Sequence, residues 1–357
     1  MKVGLFHTTL PQPGRKLGGV EVFVHRLANQ LSERGHAVTM YSLAERAPDD
    51  ARYALRRIGR PALGSRLARL TIAPLALNRV DWSGLDVLSL HGDDWFFARR
   101  PLPTVRTFHG SALYEARTAT SLQRAASQLI IYPAELLASR LADRSYTSAA
   151  RMPPAYRLDG RLALAVDPPA QPASLSEGRS AQPSLLFVGT WEGRKRGRFL
   201  RDLFDEQVLP AVPGAELWMV CDRCEESASV RWMGHPSDSE LSDLYRRAWV
   251  FCLPSTYEGF GLPYVEAMLH GTPVAASPNS GAQWITDGGK AGSVAPDAWL
   301  GERIVALLRD TELRAGYAAA GLARASEFSW DRTCDEHERA FEAAIGAFAR
   351  SQRGRRA

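Results

Sequence analysis

Two glutamates with seven residues between them, Glu258 and Glu266, bracket a glycine loop in the stretch Pro254-Ser-Thr-Tyr-Glu-Gly-Phe-Gly-Leu-Pro-Tyr-Val-Glu-Ala-Met-Leu-His-Gly271. Gly259 and Gly261 leave bare peptide N–H groups able to approach a ligand closely. Carboxylates beside backbone donors suit a ligand that is anionic at one end and rich in hydroxyls elsewhere. A nucleoside diphosphate sugar is such a ligand. Upstream, Gly189-Thr-Trp-Glu-Gly-Arg-Lys-Arg-Gly197 places Arg194, Lys195 and Arg196 after a glycine turn at the start of a helix, where they can neutralise a diphosphate. This is not a Walker loop, because no Gly-Lys-Ser/Thr occurs in it.

Strands and helices must carry these groups. The apolar run Trp249-Val-Phe-Cys-Leu253 reads as a buried parallel strand leading into the glutamate loop. Pro263 marks a helix start and Gly271 its stop, while Leu262, Val265, Met268 and Leu269 recur at helical spacing. Pro273-Val-Ala-Ala276 supplies the next strand. The unit is βαβ, with a helix N-terminus aimed beyond the strand ends, a ready anion site.

The chain opens in the same way. Lys2 to His7 reads as a strand, and Gly18-Gly19 precedes Val20, Val24, Leu27 and Leu31 at helical spacing. Glu21 falls in the first turn, Gly35 is the stop, and His36 to Ser42 is the next strand. No G-x-G-x-x-G follows the first strand, which argues against a dinucleotide-dependent dehydrogenase. Asp86 to His91 and Thr104 to His109 read as short buried strands, each ending in His-Gly, followed by helical patterns from Ser121 to Leu141. His91 with Asp93 and Asp94 has the look of a metal or base cluster on the acceptor side. A proline-, serine- and alanine-rich segment then separates two α/β halves, and Ser184 to Val188 restarts the alternation.

The Glu258–Glu266 stretch resembles the E-x7-E signature of retaining nucleotide-sugar glycosyltransferases of the large family 4-like group, "glycosyl transferases group 1". The resemblance implies a GT-B fold: two doubly wound Rossmann-like α/β domains facing across a cleft. The domains expected are an acceptor-binding domain over 1–170, a linker over 171–183, a nucleotide-sugar domain over 184–328, and a final helix over 329–357 packing back on the first domain with a basic tail. In such a protein Glu258 contacts the sugar near the reacting carbon and Glu266 binds the ribose hydroxyls. The loop between them, Gly259, Phe260, Gly261 and Leu262, binds phosphate and sugar. The Gly18-Gly19 pair lies against the donor phosphates, and His109 contacts the donor sugar. Gly189 and Thr190 begin the phosphate turn, with Thr190 where the family often has arginine. Lys195 matches the family's lysine, and Arg194 supplies the charge that Thr190 lacks.

The resemblance also implies retention of anomeric configuration, with no metal or other cofactor. Retaining glycoside hydrolases use two carboxylates about 5 Å apart, one as nucleophile. Here Glu258 and Glu266 are committed to sugar and ribose, so the reading is front-face attack with the leaving diphosphate as base. Arg194 and Lys195 then stabilise the charge on the leaving group. The catalytic set is His109, Glu258, Arg194 and Lys195.

Bulk properties agree with a two-domain globular protein. The chain has 357 residues, 45% hydrophobic and 23% charged, with no apolar run long enough for a transmembrane helix and no signal peptide pattern. A cytoplasmic location is the default expectation. The net charge is +5 and unevenly spread. Arg52, Arg56, Arg57, Arg60, Arg66, Arg69 and Arg79 lie in a stretch without acids, and Arg350, Arg353, Arg355 and Arg356 end the chain. The stretch Arg52 to Arg79 allows peripheral contact with an anionic membrane or a lipid-phosphate acceptor; a solvated face is the plainer reading. Nucleic acid is not expected, since no binding motif accompanies the charge. Cys221-Asp-Arg-Cys224 lacks the second ligand pair a zinc site needs.

The expected partners are thus a nucleotide-sugar donor and a glycan, lipid-linked or small-molecule acceptor. Two rivals remain on the same fold: a nucleotide-sugar epimerase, which would convert donor with no acceptor present, and a non-catalytic nucleotide-sugar-binding subunit.

Overall fold

A computed structural model describes residues 1–12, 18–59, 74–119, 121–170 and 178–354. Several residues weighed above lie outside these ranges: Arg60, Arg66, Arg69, the start of the linker, Arg355 and Arg356. The chain divides into two compact units. The first holds Met1–Leu113, Ser127–Ala165 and the described residues from Trp330 onward; the second holds Tyr114–Ala126 and Val166–Ser329.

The first unit carries strands β1 (Lys2–Phe6), β2 (Ala37–Ser42), β3 (Ala54–Arg57), β4 (Val87–Leu90), β5 (Thr104–Phe108), β6 (Arg144–Thr147) and β7 (Gly160–Arg161). They form one sheet in the order β3-β2-β1-β4-β5-β6-β7, with every pairing parallel. β4 and β5 are buried along their whole length, as strands covered on both faces must be. Helix α1 (Gly19–Glu33) connects β1 to β2 and buries Phe23, Val24, Leu27 and Leu31. Helices α2 (Ala112–Arg117) and α3 (Leu122–Leu141) follow β5. The segment Tyr114–Ala126, which sequence places in 1–170, groups with the second unit, where the Tyr114 ring lies 6.2 Å from that of Tyr257.

The second unit has β8 (Ser184–Val188), α4 (Gly197–Leu203), β9 (Glu216–Val220), β10 (Val230–Trp232), α5 (Asp238–Arg247), β11 (Val250–Leu253), α6 (Leu262–Leu269), β12 (Val274–Ala276), α7 (Ser280–Ile285) and β13 (Ser293–Val294), then α8 (Asp297–Arg309) and α9 (Thr311–Ala325). Its sheet runs β10-β9-β8-β11-β12-β13, again all parallel. In each sheet the order reverses beside the first strand, at β1/β4 and at β8/β11. That switch point is where such sheets bind ligands, beyond the strands' carboxyl ends.

The last helix, α10 (Trp330–Gly354), belongs to the first unit. Its Cys334, His337, Ala340, Phe341 and Ala344 are buried, and Trp330 stacks on Phe23 of α1 at 5.7 Å. Each large apolar side chain so covered contributes about 1.5–3 kcal/mol. Arg34, just past α1, ties down the outer face through Asp331 and Asp335 at 3.0 and 2.6 Å.

The trio His91, Asp93 and Asp94 does not form a metal or base cluster. Asp94 is fully buried and paired with Arg100 at 3.0 Å and Arg106 at 2.8 Å. Asp93 has a left-handed backbone, φ 50°, and accepts from Thr8 Oγ1 at 2.6 Å. His91 stacks on His109 and His337 instead. The three residues of this turn point three ways, so proximity in sequence does not become proximity in space.

Candidate functional site in the second unit

The site is built where β8 and β11 end side by side. After β8, Gly189 makes the turn because any side chain there would collide: a Cβ would lie 2.7 Å from Phe187 and 3.1 Å from the Lys195 Cβ. Gly197 has the same function one turn later, since a Cβ would approach the Thr190 carbonyl to 3.1 Å. Between them Trp191 is buried, its backbone N–H donating to Asp222 at 2.9 Å. A single 3-10 turn over Gly193–Lys195 then presents the two cations. Arg196 follows with φ 56°. This conformation is uncommon for a residue with a side chain. Its guanidinium holds it there, donating to the Pro254 carbonyl at 2.6 Å, to Ser277 at 2.8 Å and to both oxygens of Asp297.

After β11, the glutamate loop docks on that turn. Ser255 donates to the Arg194 carbonyl at 3.0 Å, and the Thr256 N–H donates to the same carbonyl at 2.9 Å. The result is a charge cluster. Glu258 Oε1 accepts from Arg194 Nη1 at 2.7 Å and faces Lys195 Nζ at 2.8 Å. Burial pushes the Glu258 carboxyl up, but Lys195 and Arg194 outweigh it and hold it below the ordinary glutamate range. Glu258 is therefore an anion already surrounded by cations.

Gly261, φ 106°, starts α6, and Pro263 is its second residue, so the helix opens without a side-chain cap. Its N-terminal N–H groups remain for an anion. Phe260 is buried edge-on against Phe328 at 5.5 Å, which leaves its backbone for ligand contact. Glu266, half-buried on α6, accepts from the Tyr245 hydroxyl at 2.8 Å. Tyr245 is fully buried; burial and the Glu266 charge push its hydroxyl well above the ordinary tyrosine range, so it stays a donor.

Sequence reasoning missed three supports. Asn279 caps α7 through its side chain and donates to the Ser255 carbonyl at 3.0 Å. Gly281 lets α7 touch the loop: a Cβ there would lie 2.6 Å from the Glu258 Cβ and 2.7 Å from the Phe260 carbonyl. Tyr245 is the third. An Asn-x-Gly at a helix start was the only available signal, and it reads equally as an ordinary cap.

The remaining expected residues lie in the first unit. Helix α1 begins at Gly19, and the Gly18 N–H donates to Glu21 at 3.4 Å, so that carboxylate partly occupies the helix end. His109 sits at the carboxyl end of β5. Its ring nitrogens are 2.9 Å from Ser148 Oγ and 3.1 Å from His91 Nδ1. Burial, then the neighbouring Arg106, pushes it well below the ordinary histidine range, so the ring is neutral. Both nitrogens are engaged within the unit. Among the described residues no group of three or more histidine, cysteine or carboxylate side chains is placed to hold a metal ion, and no helix is long and apolar enough to cross a membrane.

Comparison with known proteins places these features. A family model for glycosyl transferases group 1 matches residues 182–310, and one for Glycosyltransferase Family 4 matches 17–152. The O-antigen chain mannosyltransferase B of Escherichia coli is 35% identical over 167 residues, an alignment spanning 42% of this chain and 43% of that protein. The phosphatidyl-myo-inositol mannosyltransferase of Mycolicibacterium smegmatis is 28% identical over 363 residues, covering 92% of this chain and 91% of that one. Anabaena HepE, solved in complex with UDP-glucose, superposes with a TM-score of 0.69 at 17% identity, over 96% of this chain and 100% of that one.

Proposed function

The chain belongs to the group 1, family 4 glycosyltransferases of GT-B fold and uses a nucleotide sugar, and from that premise we propose that it transfers a hexosyl group with retention of configuration. The acceptor we propose is a hydroxyl of a glycan or lipid-linked saccharide. The observation that carries the reading is the cluster of Arg194 and Lys195 around Glu258, beside the uncapped start of α6.

The donor diphosphate binds Arg194, Lys195 and the N–H groups of the Gly259–Leu262 loop. Glu266, oriented by Tyr245, takes the ribose hydroxyls. As the bond from the anomeric carbon to the β-phosphate oxygen breaks, charge develops on that oxygen, and the two cations stabilise it. The acceptor oxygen bonds to the same face of the anomeric carbon. Its proton passes to the leaving phosphate oxygen, so no enzyme carboxylate has to serve as nucleophile. Glu258 supports the positive charge that builds on the sugar ring. The residues supply this charge balance without a metal. Names such as mannosyltransferase among the relatives make a mannosyl donor the first to test.

The test is a thermal-shift panel of UDP-, GDP-, ADP- and dTDP-sugars on the wild type and Glu266→Ala. A ligand at 100 times its Kd adds about 2.7 kcal/mol of stability. One nucleotide series should stabilise the wild type and lose its effect in the variant; stabilisation by none sinks the donor site. With the donor known, NMR of the product must show the donor's anomeric configuration, because inversion excludes front-face attack. Donor incubated alone must not give an isomeric sugar.

A further inference from the structure

Two helix faces meet in the seam between α5 and α6, and their polar contacts converge on one carboxylate. Ser242 and Tyr245, three apart, share a face of α5; Glu266 and His270, four apart, share a face at the end of α6. Across the seam the Tyr245 hydroxyl donates to Glu266 at 2.8 Å, and His270 Nε2 lies 2.7 Å from Ser242 Oγ. The Tyr245 and His270 rings stack, with 5.4 Å between centroids and 24° between planes. Phe251 lies against Tyr245 as well, tilted at 5.6 Å.

The chemistry of His270 leaves it one arrangement. Its Nδ1 is 2.7 Å from the Glu266 carbonyl, which can only accept, so Nδ1 carries the proton. Burial, with the charges of Arg179 and Arg246, pushes the ring below the ordinary histidine range against the pull of that carbonyl, so it is neutral at neutral pH. A neutral ring protonated on Nδ1 presents a bare Nε2, and the Ser242 hydroxyl is its donor. A leucine would make the same apolar contact with Tyr245 and neither of these bonds.

The backbone beneath Tyr245 is fixed separately. Thr272 Oγ1 donates to the Tyr245 carbonyl at 2.5 Å and accepts from Arg179 at 2.8 Å. Arg179 also donates to the carbonyls of Arg246 and Ala248, at 3.0 and 2.6 Å. These groups settle where α5 ends, and the tilt of the Tyr245 ring is left to the rings packed on it. A hydrogen bond weakens steeply once its donor swings out of line.

We propose that His270 is a positioning residue for Glu266: by backing the Tyr245 ring it keeps the hydroxyl on the carboxylate, and so sets the preference of the site for ribose over 2′-deoxyribose. A carboxylate held in one orientation rejects an analogue that lacks the hydroxyl it binds; one able to turn rejects it less. The proposal rests on the reading of Glu266 as the ribose ligand.

Calorimetric titration of the full chain with UDP, GDP and ADP, and with dUDP, dGDP and dADP, tests it. In the wild type one ribonucleotide should bind about tenfold or more tighter than its deoxy form. His270→Ala should cut that ratio to about twofold. The double variant His270→Ala/Tyr245→Phe should match Tyr245→Phe alone, because both changes act on one hydroxyl. Ser242→Ala, which removes a single oxygen, should lower the ratio in part with an unchanged melting temperature, and it carries the test if His270→Ala does not fold. General damage to the unit weakens ribo and deoxy forms alike and leaves the ratio where it was. An unchanged ratio in His270→Ala, or in Ser242→Ala should that variant alone fold, overturns the proposal and leaves the donor site standing. So does a loss that adds in full to that of Tyr245→Phe. A full ratio retained by Glu266→Ala overturns the ribose reading itself, and the proposal with it.

Discussion

Lys195 Nζ and Glu258 Oε1 stand 2.8 Å apart, and Arg194 shares the same oxygen, so one carboxylate already offsets part of the charge of the two cations proposed to bind phosphate. A diphosphate entering this cluster competes with Glu258 for them. Glu258→Gln should therefore bind free nucleoside diphosphate more tightly, by about tenfold or 1.4 kcal/mol, while turnover falls. Lys195→Ala should lower kcat by about 10²–10³-fold. Calorimetric titration of the diphosphate and steady-state rates check both; weaker diphosphate binding in Glu258→Gln would mean that the carboxylate organises the cations instead of masking them.

Tyr245 gives a cleaner separation of binding from chemistry. Its hydroxyl donates to Glu266, and a hydrogen bond to a charged group is worth about 1.5–3 kcal/mol. Tyr245→Phe keeps the buried ring and removes that donor. Donor KM should rise about tenfold or more with kcat unchanged, and discrimination against a 2′-deoxyribose donor should shrink. A fall in kcat at constant KM would assign Glu266 to the reacting sugar.

Gly281 is silent in any list of polar residues, yet it fixes the floor under Glu258. Gly281→Ala forces α7 away from the loop backbone, because the contacts at 2.6 and 2.7 Å involve the Glu258 Cβ and the Phe260 carbonyl. A misplacement of this kind costs about 10²-fold in kcat/KM. Kinetics beside a melting curve will distinguish loss of geometry from loss of fold.

The histidine stack of the first unit sets an acid limit on stability. Burial pushes His337 down to about 4, and His91 and His109 are also pushed well below the ordinary histidine range, first by burial. The unfolded chain binds these protons below about pH 6.5 and the folded chain does not, so stability falls as pH drops through that value. Each group contributes about 1.4 kcal/mol per pH unit within its window, which for His337 closes near pH 4. Urea midpoints between pH 7 and pH 5 should decline, and His337→Phe should flatten the slope.

Sequence carried the second unit of this molecule further than the first, for physical reasons. Glu258, Glu266, Arg194 and Lys195 lie in short contiguous segments whose glycines and proline dictate the backbone, so spacing alone brings each pair near the strand ends. Tyr245 could not be assigned to Glu266 without knowing that α5 lies against α6. His91, Asp93 and Asp94 misled because a turn separates what the chain keeps adjacent. On the arginine stretch and its neighbours the periodicity was weak, since β3 is a four-residue strand with mostly exposed side chains.

Helix α10 has a consequence for how the protein is made. It covers Phe23 and the histidine at the end of β4, yet in the chain it comes after the whole of the second unit. The first unit therefore leaves the ribosome with part of its core uncovered and is completed only after the second unit has been made. Order of translation and order of completion are reversed, and the interval between them is when a chaperone would find this chain.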